Sequence, residues 1–340
     1  RSASPPGYEI STMITPSPSS PPRTSPALIS VVVPSFNEAD HLPALLNRLE
    51  HTLPPLCGAF EVIVVDDRSA DETYPLLLRL KAERPWLRIL RFSRNFGKEI
   101  ALAAGLRRAS GDVVIQIDAD LQHPPELIAD FVAAWRAGAD LVYGARDRRS
   151  EAGKPRDILA RLFYRVFAQI AEVSLLPGSG DFTLFDAKVV TVLNAMPERN
   201  RFGKGLYAWV GFRTQAVPYT PDPRAGGGSK WSLRKLIGLA VDGITSFSVM
   251  PLRVWSLFGA LISLLSFAYG SWILFQTVFW GIDVPGYPSI MVAIVFLGGI
   301  QLVTLGVVGE YVGQVFMEVK RRPLYVIDEA VGFETKPGTD

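Results

Sequence analysis

Apolar and polar positions divide the chain into two regions of different character. In the first, short runs rich in β-branched residues recur: LISVVV (28–33), FEVIVV (60–65), LRILRF (87–92), DVVIQI (112–117) and DLVYGA (140–145). Helical patterns separate several of them, including GKEIALAAGLRRAS (97–110) and PPELIADFVAAWRAG (124–138). This alternation predicts an α/β fold with a mainly parallel sheet covered by helices.

The second region is apolar over much longer spans. No charged residue occurs from Val254 to Ile282 or from Val284 to Gly309. Each stretch exceeds the ~20 residues that a membrane-spanning helix needs. The intervening GIDVPGYP (281–288) suits a tight turn, so a two-helix transmembrane hairpin is expected. Lys230, Arg234, Lys235 and Arg253 precede the first span, Lys320, Arg321 and Arg322 follow the second, and no Lys or Arg lies between them. By the positive-inside rule both ends of the hairpin are cytoplasmic, in an inner (plasma) membrane protein with two spans. Just before it, KWSLRKLIGLAVDGITSF (230–247) can gather Trp231, Leu236, Leu239 and Ile244 on one face, as an amphipathic helix at the interface does. Gly306, Gly309 and Gly313 offer a small-residue face, for the hairpin itself or for a homo-oligomer through these helices.

Composition agrees with this division. The 340 residues are 48% hydrophobic, and the mean hydropathy of +0.21 is high for a soluble enzyme. A net charge of +2 provides no basic field for a nucleic-acid partner. Cys57 is the only cysteine and there are three histidines, with neither CxxC nor HExxH, which argues against zinc chemistry. Residues 1–26 are rich in Pro and Ser and lack an apolar core, so a disordered tail is expected rather than a signal peptide. Met13 offers a native start that would make residues 1–12 an appendage. The expected divisions are the tail (1–26), a cytoplasmic catalytic domain (27–229), a juxtamembrane helix (230–250), the hairpin (251–317) and a cytoplasmic C-terminal tail (318–340).

Candidate chemistry lies where the strands end. Ligands of open α/β sheets bind outside the carboxyl ends of the strands. After the first run comes PSFNEAD (34–40), after the second DDRSADET (66–73), and after the fourth DADLQHPPE (118–126). Three carboxylate-bearing loops therefore converge on one edge. Strand neighbours point to opposite faces, so Asp118 and Asp120 at the end of the fourth strand share a face. Two like charges so placed, with Gln122 beyond them, suit a hard divalent cation, Mg²⁺ or Mn²⁺, bridging a diphosphate. There is no G-x-G-x-x-G after the first strand and no G-x-S-x-G elbow. GGGSK (226–230) lacks the residue order of a phosphate loop.

PSFNE, DDRSADET, RNFGKE, DADLQHPPE, GDFTLFD and GGGSKWSLRKL, followed by two spans and GEYVGQ, resemble the polyprenyl-phosphate glycosyltransferases of glycosyltransferase family 2. The resemblance runs over about residues 28–327. It implies a GT-A (nucleotide-diphospho-sugar transferase) domain. It further implies that Pro34, Phe36, Glu38 and Asp67 hold the base and ribose of a nucleotide sugar, with Arg146 facing its phosphates. Asp118, Asp120 and Gln122 would form the metal and diphosphate site, and Asp181 of GDFTLFD would be the catalytic carboxylate. Each has a blander alternative, Phe36 as a core residue, Asp67 as an N-cap of the following helix and Arg146 as a solvated charge; Asp186 reads as structural. An anionic acceptor needs further cations, and Arg201, Arg224 and Lys230 lie between the catalytic motifs and the interfacial segment. These three could instead serve as contacts to anionic headgroups.

The reaction so implied is inverting transfer of a hexose, glucose being expected, from a UDP-linked donor to a polyprenyl phosphate such as undecaprenyl phosphate. The product would be a lipid-linked monosaccharide for cell-envelope glycan modification. Two rivals fit less well. A processive polysaccharide synthase carries Q-x-x-R-W, and QTVFW (276–280) lacks the Arg and falls inside a span. A glycolipid carrier would leave the carboxylate cluster unexplained.

Overall fold

The computed structural model describes residues 23–146, 179–196, 198–199, 201, 203–220, 250–280 and 286–333. The proposed juxtamembrane helix, the hairpin turn, the N-terminal tail through residue 22, Arg224 and Lys230 lie outside the described residues. For Arg146 only the backbone is described.

All five expected strands form: β1 (Leu28–Ser35), β2 (Ala59–Asp66), β3 (Leu87–Phe92), β4 (Val113–Gln116) and β5 (Leu141–Arg146). Three more join them, β6 (Ser179–Asp186), β7 (Thr214–Tyr219) and β8 (Ile327–Val331), in the order β7-β5-β6-β4-β1-β2-β3-β8. β1 to β4 run parallel, and β5 and β7 share their direction; β6 and β8 oppose it. The sheet is mainly parallel, as expected.

β1 explains why such strands read as unbroken apolar runs. Successive side chains point to opposite faces. Val31 and Val33 pack with Leu42, Leu45, Leu46 and Leu49 of α1 (Leu42–Thr52) on one face. Val32 packs with Leu102 and Leu106 of α3 (Lys98–Arg108) on the other. Both faces are covered, so alternation disappears. Helices α2 (Thr73–Glu83) and α4 (Ile128–Arg136), entered through a 3₁₀ turn at Pro125–Leu127, complete the layers with α5 (Ala187–Ala195) and α6 (Gly203–Trp209).

Two long helices follow, α7 (Met250–Trp280) and α8 (Tyr287–Val319). Within α8, Phe296–Val319 is long and apolar enough to cross a membrane, with a mean hydropathy of 1.4. A Cβ added at Gly306, Gly309 or Gly313 would meet nothing within 4 Å among the described residues.

One expectation needs correction. The segment read as a C-terminal tail contains β8, which pairs antiparallel with β3 and closes that edge of the sheet. Tyr325 stacks on Phe92 with ring centroids 5.2 Å apart. Glu329 accepts from Tyr74 at 2.6 Å and from Arg91 at 3.2 Å, and Asp328 pairs with Arg68 at 2.6 Å. Five residues with two carboxylates carry little hydrophobic signal, because an antiparallel edge strand is bonded on one side and solvated on the other. At the far end of α8, Glu318 accepts from the backbone N–H of Arg199 at 2.7 Å, which ties the helix to the catalytic domain.

Candidate active site

The carboxyl edge of β1, β2 and β4 is built from loops that hold one another. In the first, Asn37 donates its N–H to Ser69 Oγ and accepts from Ala70 N–H, both at 2.9 Å, joining the loop after β1 to the loop after β2. Glu38 N–H donates to Thr73 Oγ1 at 3.0 Å. Asp67 then joins the second loop to the turn before α3, accepting from Phe96 N–H at 2.6 Å and Gly97 N–H at 2.8 Å. Gly97 has φ +98°, a conformation that side chains resist and that lets the chain turn directly into α3. Asn37, Arg68 and Leu121, one in each of the three loops, are left-handed with φ 57°, 60° and 60°. Non-glycine residues persist there only when their surroundings fix them, and such residues cluster at functional sites.

The two carboxylates after β4 do not sit on a strand. β4 ends at Gln116, so Asp118 and Asp120 lie in the turn that follows it, just before left-handed Leu121, and the shared-face argument does not apply. They still come together, and His123 joins them. One ligand atom from each of Asp118, Asp120 and His123 lies within 4.8 Å of the others. A divalent cation with ligand distances of about 2.0–2.6 Å fits between donors so spaced. Gln122, the expected third ligand, has its N–H on Asp120 Oδ1 at 3.2 Å. His123 is buried against Phe182 and Tyr219.

Register brings in Asp181. β4 and β6 pair antiparallel, with Ile115 opposite Leu184 and Gln116 opposite Thr183. Continued by two residues, the same register sets Asp118 across from Asp181. Lys98, the first residue of α3, lies between them. Its Nζ is 2.7 and 2.8 Å from the two Asp118 oxygens and 2.5 Å from Asp181 Oδ2. Lys204 of α6 stands 3.8 Å from Asp181 Oδ1. Burial works to raise the Asp181 carboxyl, but Lys98 and Lys204 outweigh it, with His123 adding to their effect, and hold it well below the usual range. Burial pushes Asp118 up to about 6, with Asp181 and Asp120 adding to the rise and Lys98 opposing it. For Lys98, burial opposes the charge and the two carboxylates override it, so its ammonium is held above its ordinary range. Beside it Glu99 accepts from Gly203 N–H at 3.2 Å, and burial with the Asp181 charge lifts its carboxyl to about 7.

The other expected site residues are placed as follows. Phe36 is 44% exposed at the start of the first loop, not in the core. Pro34 is buried at the end of β1, and Glu38 pairs with His41 Nδ1 at 2.7 Å. Asp67 is buried and does not cap α2, which starts at Thr73 after Glu72; its oxygens serve the backbone of residues 96 and 97. Arg146 ends β5, opposite Tyr219 of β7. Arg201 needs a correction. Its guanidinium donates to the carbonyls of Leu193, at 2.7 Å, and Met196, at 3.4 Å. It caps the C-terminal end of α5, where orphan carbonyls attract a cation, rather than standing free for an acceptor phosphate. Asp186 is structural as expected: it caps α5 and accepts from Trp135 Nε1 at 2.8 Å.

Lys98, Lys204, Glu99 and His123 are site residues that the sequence reading did not single out. For Lys98 a signal exists. It stands in the first turn of a helix, where the helix dipole disfavours a cation, so nearby anions are implied.

The mainly parallel α/β sheet gathers its carboxylates at the carboxyl edge, where ligands of such sheets bind. Comparison with known proteins identifies the family. Residues 30–191 match Glycosyl transferase family 2, and residues 250–315 match the GtrB C-terminal hairpin. The chain is 48% identical to the uncharacterized glycosyltransferase sll0501 of Synechocystis over 91% of its own length and 97% of that protein. It is 43% identical to the SfII prophage-derived bactoprenol glucosyl transferase of Shigella flexneri, over 89% and 98% of the two chains. With the prophage bactoprenol glucosyl transferase homolog of Escherichia coli K12 the identity is 42%, over 88% and 98%. The chain belongs to glycosyltransferase family 2.

Proposed function

We propose that this enzyme transfers glucose from UDP-glucose to a polyprenyl phosphate, undecaprenyl phosphate in particular, with inversion at the anomeric carbon. The observation that carries the reading is the meeting of Asp118, Asp120 and Asp181 at one edge of the sheet. Near full-length likeness to proteins named bactoprenol glucosyl transferase supports the choice of sugar and lipid.

Asp118, Asp120 and His123, with Gln122 beside them, would hold the divalent cation, Mg²⁺ or Mn²⁺. A cation bound there neutralises charge on the departing nucleoside diphosphate. Exposed Phe36 offers its ring to the base, Glu38 and the loop clamped by Asp67 frame the ribose, and Arg146 at the end of β5 would be a cation for the phosphates. An acceptor phosphate oxygen attacks the anomeric carbon as the bond from that carbon to the diphosphate oxygen breaks. A phosphate group whose second pKa is about 6 is already mostly anionic near neutral pH. It needs little help from a base, so Asp181, kept ionised by Lys98 and Lys204, serves to orient sugar or acceptor. Arg224 and Lys230 are the acceptor cations in this reading, since Arg201 is engaged on α5.

α7 and α8 would both span the membrane, leaving the catalytic domain and both chain ends in the cytoplasm. β8 supports this, because a strand that follows the hairpin and pairs with β3 requires an even number of crossings.

The test offers the purified chain a panel of UDP- and GDP-sugars with undecaprenyl phosphate and Mg²⁺ or Mn²⁺. The organic phase is read by mass spectrometry. One added hexose, from UDP-glucose, is expected. A ladder of longer glycans, or transfer only to a non-lipid acceptor, would overturn the reading.

A further inference from the structure

We propose that Lys98 is an internal counter-cation that couples divalent-cation binding to donor binding, keeping the carboxylate site weak for a bare cation and strong once a nucleoside diphosphate is present. The inference rests on reading Asp118 and Asp120 as the cation ligands. Its basis is the position of one ammonium group. An ammonium has three N–H donors, and here three carboxylate oxygens lie within 2.8 Å of it: both oxygens of Asp118 and Oδ2 of Asp181. Asp118 thus faces Lys98 with the same two atoms that it would offer a metal.

Charge counting gives the consequence. Asp118, Asp120 and Asp181 contribute three negative charges, and Lys98 and Lys204 return two, leaving one. A divalent cation arriving alone meets that single negative charge and a neighbouring ammonium on a shared ligand. A nucleoside diphosphate restores the negative charge and gives Lys98 another anion to face. The helix start supports this arrangement: Asp67 holds the backbone N–H groups of Phe96 and Gly97, which fixes where α3 begins and so where the Lys98 side chain sets out from. By linkage, whatever factor the diphosphate adds to cation affinity, the cation adds to diphosphate affinity.

The experiment measures Mn²⁺ binding to the full chain in detergent by electron paramagnetic resonance of the free ion, with and without UDP, and with GDP as a second nucleotide. In the wild type UDP should tighten Mn²⁺ binding strongly. Lys98→Met should bind Mn²⁺ alone at least about tenfold more tightly, as expected for removing a unit positive charge beside the site, and UDP should then add much less. Lys98→Arg, which keeps the charge, should behave like the wild type. If Lys98→Met folds poorly, Lys98→Gln and the Mn²⁺-induced rise in melting temperature give the same comparison. If the wild type binds Mn²⁺ with UDP, but Lys98→Met leaves Mn²⁺ binding without nucleotide unchanged or weaker and UDP still adds as much as in the wild type, the inference is overturned and the cation site stands. Absence of Mn²⁺ binding to every variant with either nucleotide overturns the cation site and the inference with it.

Discussion

Gly105 lies in the middle of α3, where the helix crosses β1. A Cβ built there would stand 2.2 Å from Val32 Cγ1 and 3.2 Å from its Cβ and Cγ2. Carbon atoms pack at about 3.5–4.0 Å, so Gly105→Ala must push the helix off the sheet by about 1 Å or drive Val32 from its rotamer. Overpacking of a core costs about 1–3 kcal/mol, and an overlap this deep belongs at the upper end. Alanine returns about 1 kcal/mol of helix propensity. The net loss is about 2 kcal/mol, a fall in melting temperature of about 4–8 °C for a domain of this size. Lys98 is two turns away on the same helix, so activity should fall as well. Thermal unfolding in detergent, followed by tryptophan fluorescence, measures the stability change. Val32→Ala removes the atoms that clash, and the double variant should recover at least about 1 kcal/mol relative to the sum of the single changes. A Gly105→Ala protein that melts at or above the wild-type temperature, or strict additivity in the double variant, would show that α3 does not bear on β1 as described.

Asp120→Asn should fold normally, with an unchanged melting temperature, and lose about a hundredfold or more in turnover; full wild-type activity in excess EDTA would contradict it. Glu99 holds its proton more tightly when folded, at about 7 against an ordinary 4.5. Its contribution to stability is therefore complete below about pH 4.5 and lost as pH rises through 7. The full shift is worth at most about 3 kcal/mol, and about half of that for a partly exposed side chain. Glu99→Gln should accordingly gain stability over wild type at pH 8 but not at pH 4.5, and an equal difference at both would refute the assignment. A cysteine at Gly286, in a Cys57→Ser background, should be labelled from outside intact cells while cysteines on α4 are not; the reverse pattern would invert the topology.

The parallel core of the fold was legible because its strands are buried on both faces and read as continuous β-branched runs. β8 was not: its five residues, IDEAV, are held by one neighbour and by ion pairs, and such a strand resembles any charged tail. The carboxylates of the site were legible from their place after strand ends. Their geometry was not, since β4 stops two residues before Asp118 and the turn, not the pleat, brings Asp118 and Asp120 together. The basic residues divide by the company they keep. Arg201 looked free in sequence, but the end of α5 supplies carbonyls for it. Lys98 was passed over because its partners, Asp118 and Asp181, lie 20 and 83 residues further along the chain.

The placement of β8 sets an order on the making of this protein. A ribosome delivers β1 to β7 first, then α7 and α8, and only then the five residues that pair with β3. The loop after β2 and the start of α2 receive their last fastenings, Arg68 to Asp328 and Tyr74 to Glu329, at the same late moment. Until then β3 is an open edge with unpaired backbone groups, the kind of edge that recruits a strand from another chain. Domains otherwise fold as they emerge; this one must wait for its two long helices before its donor-side loops are fastened. A chain halted within those helices would carry every carboxylate of the active site and an unsealed sheet.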